Sequence, residues 1–88
     1  MDYLLFTYPN CPKCEAIKKI LAGKELKGKE YNLVMKESKL KIREFLKILN
    51  RDDKGGIIIP TLVIRDSGEV VAVLNERKEL EDWLPSKD

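Results

Sequence analysis

Short strand-like runs alternate along this chain with segments whose apolar residues repeat at helical spacing. Brief apolar and β-branched runs favour strands, whereas apolar residues three and four positions apart favour amphipathic helices. This pattern predicts strands over residues 3–8, 30–35, 57–64 and 69–74, and helices over residues 12–22, 39–49 and 76–84. The order β-α-β-α-β-β-α predicts an α/β fold with a four-stranded mixed sheet flanked by helices.

Residues that end helices or form turns separate these elements. The predicted N-caps are Ser38 and Asn75 for the second and third helices, and the predicted helix ends are Gly23 or Gly28 for the first helix and Pro85 for the last. Strands separated by helices are expected to pair in parallel through crossovers. Residues 65–68 predict a hairpin between the last two strands.

Length and charge restrict the class of protein. The 88 residues are expected to form one domain over 1–88, and 43% hydrophobic residues suffice for a globular core. The net charge is only +2, without the basic excess of nucleic-acid or membrane-surface proteins. The longest apolar run, 57–64, is too short to span a bilayer, and no signal-peptide pattern is visible. We therefore expect a cytoplasmic monomer with no nucleic-acid or membrane partner.

The chain has two cysteines, Cys11 and Cys14, and no histidine. Two cysteines cannot form the several bridges that staple small secreted domains, and one chain cannot supply the four Cys or His ligands of a structural zinc site. The lack of histidine excludes nucleophiles activated by a histidine base. The chemistry therefore depends on the Cys11-Pro12-Lys13-Cys14 element.

This element lies where the first predicted strand leads into the first predicted helix. Pro12 suits the first helical turn. Residues three apart share a helix face, so the two sulfurs can form a disulfide. The free N–H groups and dipole of the helix N-terminus favour a thiolate on Cys11, and Cys14 should be less exposed because it lies one turn deeper. The spacing predicts a redox-active dithiol, although buried cysteines that only fill space are the simpler alternative.

Three segments resemble glutaredoxins, which have the thioredoxin fold: YPNCPKC at 8–14, IIIPTLVI at 57–64 and SGEVV at 67–71. With the element order, the resemblance covers essentially the whole chain. It implies that Cys11 is the attacking thiol and Cys14 the resolving thiol. It also implies that Pro60 is cis beside them, with the backbone of Ile59 pairing with substrate. The expected partners are disulfide-containing proteins and a thiol reductant, either glutathione or a thioredoxin reductase.

The chain departs from the glutaredoxin pattern around these motifs. Tyr8 stands where glutaredoxins usually carry a lysine, Ile58 replaces the threonine of Thr-Val-Pro, and residues 74–77 replace the Gly-Gly-x-Asp-Asp segment that receives glutathione. The candidate substrate-binding residues are Tyr8, Pro12, Lys13, Ile59, Pro60, Asn75, Glu76 and Arg77. We expect no tightly bound cofactor and no resident metal, with glutathione at most a co-substrate.

Two other functions fit the cysteine spacing. Soft thiolates suit Cu(I), and copper chaperones also place Cys-x-x-Cys before their first helix, but their element order is β-α-β-β-α-β. In a related variant, two chains bridge an iron–sulfur cluster with added glutathione thiols. The other function is an interaction domain whose cysteines only sense oxidation, because a fold does not determine a function.

Overall fold

The computed structural model describes residues 1–24 and 26–84; Pro85, the expected end of the last helix, lies outside the described residues. The elements are β1 (Asp2–Thr7), α1 (Pro12–Ala22), β2 (Lys27–Asn32), α2 (Lys36–Ile42) with a 3₁₀ turn (Arg43–Phe45), β3 (Thr61–Asp66), β4 (Glu69–Leu74) and α3 (Arg77–Trp83). This confirms the order β-α-β-α-β-β-α and the four-stranded mixed sheet.

The strands lie in the order β2-β1-β3-β4. β1 and β2 are parallel, with Tyr3 opposite Gly28, as the intervening helix predicted. β3 instead pairs antiparallel with β1, with Thr61 opposite Phe6, so parallel pairing was the wrong expectation for the second helical connection. The connection through the seven-residue α2 does not return along the sheet, and β3 enters at the end where β2 leaves. β3 and β4 form the predicted hairpin.

The boundaries of α1 and β4 match the sequence pattern, and Gly23 is the C-cap of α1. β2 lies three residues before its predicted position because its apolar residues, 33–35, belong to the following turn. There the Asn32 side chain accepts a hydrogen bond from the N–H of Val34. Gly28 therefore lies inside β2 and does not end α1.

The predicted boundaries of the next two elements were also wrong. α2 begins at Lys36 with Met35 as its N-cap, and Ser38 is buried within the helix, so it is not a cap. The 3₁₀ turn then replaces regular α-helix after Ile42. β3 begins only after Pro60, because proline has no N–H to donate to a sheet ladder.

Alternation along the strands produces two cores, one on each face of the sheet. Leu4, Phe6, Leu33, Ile42, Phe45, Leu49 and Val63 form the core under α2. Leu5, Ile17, Leu21, Leu62, Ile64, Leu80 and Leu84 form the core under α1 and α3. The Phe6 ring stacks on Tyr31 at a centroid distance of 5.4 Å. No helix in the described part of the chain is long and apolar enough to cross a bilayer.

Candidate redox site

The turn between β1 and α1 presents Cys11 at the N-terminus of the helix. Asn10 has a φ of 57°, a left-handed conformation that asparagine tolerates better than most residues. Cys11 is the N-cap, with an extended backbone, and Pro12 begins the helix where its missing N–H leaves no hydrogen bond unmade. The local sequence therefore explains why the chain turns here and places a sulfur at the positive end of α1.

Cys11 and Cys14 are joined as a disulfide, with their Cα atoms 5.2 Å apart. The backbone N–H of Cys14 donates a hydrogen bond to Sγ of Cys11 at 3.1 Å. Cys14 is only 1% exposed, whereas Cys11 is partly exposed. The expected difference in depth is therefore confirmed. An external thiol or disulfide can approach Cys11 and is kept from Cys14.

The peptide bond between Ile59 and Pro60 is cis, as the family resemblance implied. Since Thr61 pairs with Phe6, the register places Pro60 at the end of β1 from which the chain continues toward Cys11. Pro60 is buried and Ile59 is partly exposed. Within residues 1–24 and 26–84, the backbone N–H and C=O of Ile59 have no hydrogen-bond partner. The turn thus presents an unpaired stretch of backbone at the cysteine end of the sheet.

A first cleft of about 390 Å³ lies between the N-terminal ends of α1 and α3, which pack on the same face of the sheet. The structure brings four of the candidate residues together here: Pro12, Lys13, Glu76 and Arg77. Ala16 and Lys78 complete the lining and were missed by sequence reasoning. Three cationic side chains and one carboxylate make this cleft positively charged overall.

A second cleft, of about 450 Å³, lies on the α2 side of the sheet and includes Tyr8 and Ile59. The remaining lining residues, Leu33, Lys39, Ile42, Arg51, Gly55, Gly56 and Ile57, were not among the candidates. They come from the turn after β2, from α2 and from residues 51–57, and no local motif marks them in the sequence. Lys39 and Arg51 are the charged members, so this mainly apolar cleft also carries positive charge.

Asn75 has a different position from the one that sequence reasoning assigned. The N-cap of α3 is Glu76, which forms a reciprocal capping box with Glu79, so Asn75 is not the cap. Asn75 is 5% exposed and lines neither cleft. Its side chain lies behind the cis-proline turn, where Nδ2 donates to the carbonyl oxygen of Pro60 at 3.0 Å.

A polar contact that sequence reasoning missed ties the end of β1 to its neighbours. The buried Thr7 hydroxyl donates to Oε2 of Glu30 at 2.7 Å, and Lys18 of α1 lies 3.2 Å from Oε1. The hydroxyl, followed by the lysine, holds the pKa of Glu30 below its ordinary value. The hydrogen bonds that Lys18 donates to Glu15 and Glu30 raise the pKa of Lys18. This network joins β1, β2 and α1 just before the chain turns to Cys11.

Comparison with known proteins gives a consistent result. The chain resembles the crystal structure of the thioredoxin-like protein BC3987, with a TM-score of 0.56 and 26% identity over 92% of this chain and 97% of that one. A single-substitution mutant of BC3987 gives a TM-score of 0.58 and 25% identity over 94% and 99% of the two chains. No curated protein matches the sequence significantly.

The glutaredoxin family model matches residues 4–71, which include both cysteines and the cis-proline. The family and the joined cysteine pair together support a thiol–disulfide redox function. The fold and the match over most of its length show that this chain belongs to the glutaredoxin family.

Proposed function

We propose that the protein is a dithiol oxidoreductase that reduces disulfides of other proteins, with Cys11 attacking and Cys14 resolving. The observation that carries this proposal is the unequal exposure of two sulfurs that are close enough to bond. Cys11 is accessible at the helix N-terminus, and Cys14 is 1% exposed behind it. An attacking sulfur must reach the substrate, whereas a resolving sulfur needs only to reach its partner.

The reaction consists of two exchange steps. The Cys11 thiolate attacks one sulfur of the substrate disulfide, forming a mixed disulfide and releasing the other sulfur as a thiolate that takes up a proton. Cys14 then loses its proton and attacks Sγ of Cys11, which forms the Cys11–Cys14 disulfide and releases the second substrate thiol. Two electrons pass to the substrate, and glutathione or a thioredoxin reductase returns two electrons to the protein.

The helix N-terminus contributes to both directions of exchange. The N–H of Cys14 reaches Sγ of Cys11 at 3.1 Å and would stabilise negative charge on that sulfur. A stabilised Cys11 thiolate is more abundant as a nucleophile, and it is also a better leaving group when the disulfide is reduced again. The helix N-terminus would thus activate the Cys11 thiol, as a histidine base does in other enzymes.

The substrate binds, on this proposal, across the unpaired backbone of Ile59. An extended segment that adds to a free backbone edge gains main-chain hydrogen bonds whatever its sequence, which suits a reductase with several protein substrates. The buried Pro60 would hold the backbone of Ile59 in place for that segment. Tyr8, which is 50% exposed, would contact the segment beside Cys11. The two clefts would bind the parts of the substrate chain that lie on either side of its reacting sulfur.

The proposed reductant is glutathione or a thioredoxin reductase. Lys13 and Arg77 in the first cleft, and Lys39 in the second, offer cationic partners for carboxylates, although Tyr8 replaces the family's usual lysine. The protein would act as a cytoplasmic monomer with no tightly bound cofactor and no nucleic-acid or membrane partner. A net charge of +2 is consistent with that setting.

Reduction of insulin disulfides by wild type, Cys11→Ser and Cys14→Ser tests the proposal. The reductant is supplied either as glutathione with its reductase or as a thioredoxin reductase system. We expect Cys11→Ser to be inactive, and Cys14→Ser to lose turnover while accumulating a mixed disulfide with insulin. Equal activity of wild type and Cys11→Ser would refute the proposed roles.

Two competing hypotheses are metal carriage, tested by metal binding, and oxidation sensing, tested by the reduction potential of the cysteine pair. Within the described residues, no three His, Cys, Asp or Glu side chains are grouped to hold a metal ion. The helix between β2 and β3 also differs from the copper-chaperone order. Reduced protein that binds one Cu(I) per chain, or a coloured cluster-bridged dimer, would favour metal carriage if it reduces no disulfide.

A further inference from the structure

The Asn75 side chain is a buried hydrogen-bonding centre directly behind the cis-proline turn. Its Nδ2 lies 3.2 Å from the carbonyl oxygen of Ile58, 3.0 Å from that of Pro60 and 3.0 Å from Oγ1 of Thr61. Its Oδ1 accepts a hydrogen bond from Nδ2 of Asn50 at 2.6 Å. A carboxamide thus binds both sides of the turn and joins them to the loop after α2.

Only an amide has the donors and the acceptor that this position uses. Nδ2 carries two hydrogens, which three oxygens share, and Oδ1 faces a donor. An aspartate would place a carboxylate oxygen against those same three oxygens, and an alanine would leave buried acceptors unpaired. The Thr61 hydroxyl adds a further bond to the carbonyl of Ile58, so the inner side of the turn is well satisfied.

Ile59, at the tip of the turn, differs from its neighbours Ile58 and Pro60. Its backbone N–H and C=O have no hydrogen-bond partner among the described residues. Asn75 binds the residues immediately before and after Ile59 and leaves Ile59 itself free. The N–H of Asn75 also donates to Oε1 of Glu79, which accepts from the N–H of Glu76 in the first cleft. One residue therefore connects the free backbone edge with the α3 wall of that cleft.

We propose that Asn75 is a positioning residue for substrate capture: it holds the cis-proline turn so that the N–H and C=O of Ile59 face the substrate. The inference rests on the proposed reductase function and on the substrate segment adding to this edge. Binding to an edge that is already fixed avoids the cost of ordering it in each encounter. Asn75 forms no hydrogen bond with either cysteine, so its contribution should appear in substrate binding and leave the reactivity of Cys11 unchanged.

The test compares wild type with Asn75→Asp and Asn75→Ala, using insulin reduction for KM and kcat and the rate of Cys11 alkylation by iodoacetamide. We expect KM to rise about tenfold, in line with the loss of hydrogen bonds that fix the edge, with kcat and the alkylation rate within about twofold of wild type. Asn50→Ala is the matched control, because it removes only the bond to Oδ1. Its KM should stay within about twofold of wild type.

An unchanged KM in folded Asn75→Asp and Asn75→Ala would overturn the inference, and so would a parallel fall of kcat and alkylation rate. If those variants do not fold, Asn75→Ser is the test variant, because its hydroxyl keeps one hydrogen-bond donor in a smaller side chain. A KM for this variant equal to that of wild type would overturn the inference. Failure of the proposed function is distinguishable, because wild type itself would then reduce no insulin.

Discussion

The N–H of Cys14 lies 3.1 Å from the sulfur of Cys11, while the side chain of Cys14 is 1% exposed. One residue therefore donates a backbone hydrogen bond to the outer sulfur and provides the inner sulfur through its side chain. This relationship needs only the first turn of a helix, and on the proposed function it would activate the Cys11 thiol in a chain without histidine.

The two thiols of the reduced protein should differ in reactivity. We expect iodoacetamide to alkylate Cys11 at least about tenfold faster than Cys14 at neutral pH, because access and thiolate character both favour the outer sulfur. Peptide mass spectrometry over time measures both rates in one sample, and Cys11→Ser shows the reactivity of Cys14 alone. Equal rates for the two cysteines would contradict the assignment of attacking and resolving thiols.

Charge reversal in the first cleft should slow reaction with anionic substrates selectively. Lys13→Glu changes the local charge by two units, so we expect the reduced protein to react about three- to tenfold more slowly with the dianionic disulfide dithiobis(nitrobenzoate) at low salt. The rate with neutral hydroxyethyl disulfide should be unchanged.

Lys19→Glu makes the same charge change two turns further along α1 and is the control for Lys13→Glu. Its effect on the anionic disulfide should be smaller, and the Lys13→Glu effect should diminish as salt is added. If both variants slow both disulfides equally, the first cleft does not select charge.

The Glu30 contacts should make stability depend on pH. The pKa of Glu30 is held below its ordinary value of 4.5, chiefly by the Thr7 hydroxyl and then by Lys18. The folded state therefore binds its proton less readily than the unfolded state does. The resulting stabilisation is full above the unfolded pKa and is lost as the pH falls through the folded pKa.

Glu30→Gln should accordingly lower the free energy of unfolding at pH 7 by about 1 kcal/mol or less. The effect is small because the side chains of Lys18 and Glu30 are 37% and 38% exposed, so solvent screens their ion pair. The difference from wild type should shrink below about pH 4.5. Urea unfolding at pH 7 and about pH 3 measures this difference in the free energy of unfolding. Glu37→Gln is the control, because Glu37 is exposed. A difference that grows in acid would contradict the assigned contacts.

Gly28 should not tolerate a side chain. A Cβ at this position would overlap the ring and the carbonyl oxygen of Tyr3, which lies opposite it in β1. We expect Gly28→Ala to cost about 1–3 kcal/mol, because the adjacent strand or the ring must move. Gly23→Ala is the control, since its Cβ would lie at an ordinary 3.7 Å from the nearest atom. Equal stability of the two variants would contradict the β1–β2 packing.

The element order was predictable because successive apolar residues of a strand point to opposite faces of the sheet. Leu4 and Phe6 point to one core and Leu5 to the other, so the period of two is visible in the sequence. β2 was misplaced because it is an edge strand whose first four residues are exposed, and its composition resembles a loop. Its apolar neighbours, Val34 and Met35, are themselves more than half exposed.

The cysteine pair and the cis-proline were predictable from local motifs, whereas the rest of the site was not. Lys39 and Arg51 reach the second cleft from α2 and the following loop, and their arrangement depends on how those elements pack. Asn75 was identified as important and given the wrong position. An asparagine before a helix resembles an N-cap in sequence, and only the packing of β3 against β4 places it behind Pro60.

The reduction potential of the Cys11–Cys14 pair tests the central claim most directly. It is measured by equilibrating the protein in glutathione or dithiothreitol buffers and following the reduced fraction by alkylation and mass spectrometry. A reversible carrier should titrate between about −280 and −180 mV, within the range of thioredoxins, glutaredoxins and disulfide isomerases. A midpoint well below about −300 mV would identify a locked structural disulfide and contradict the proposed exchange.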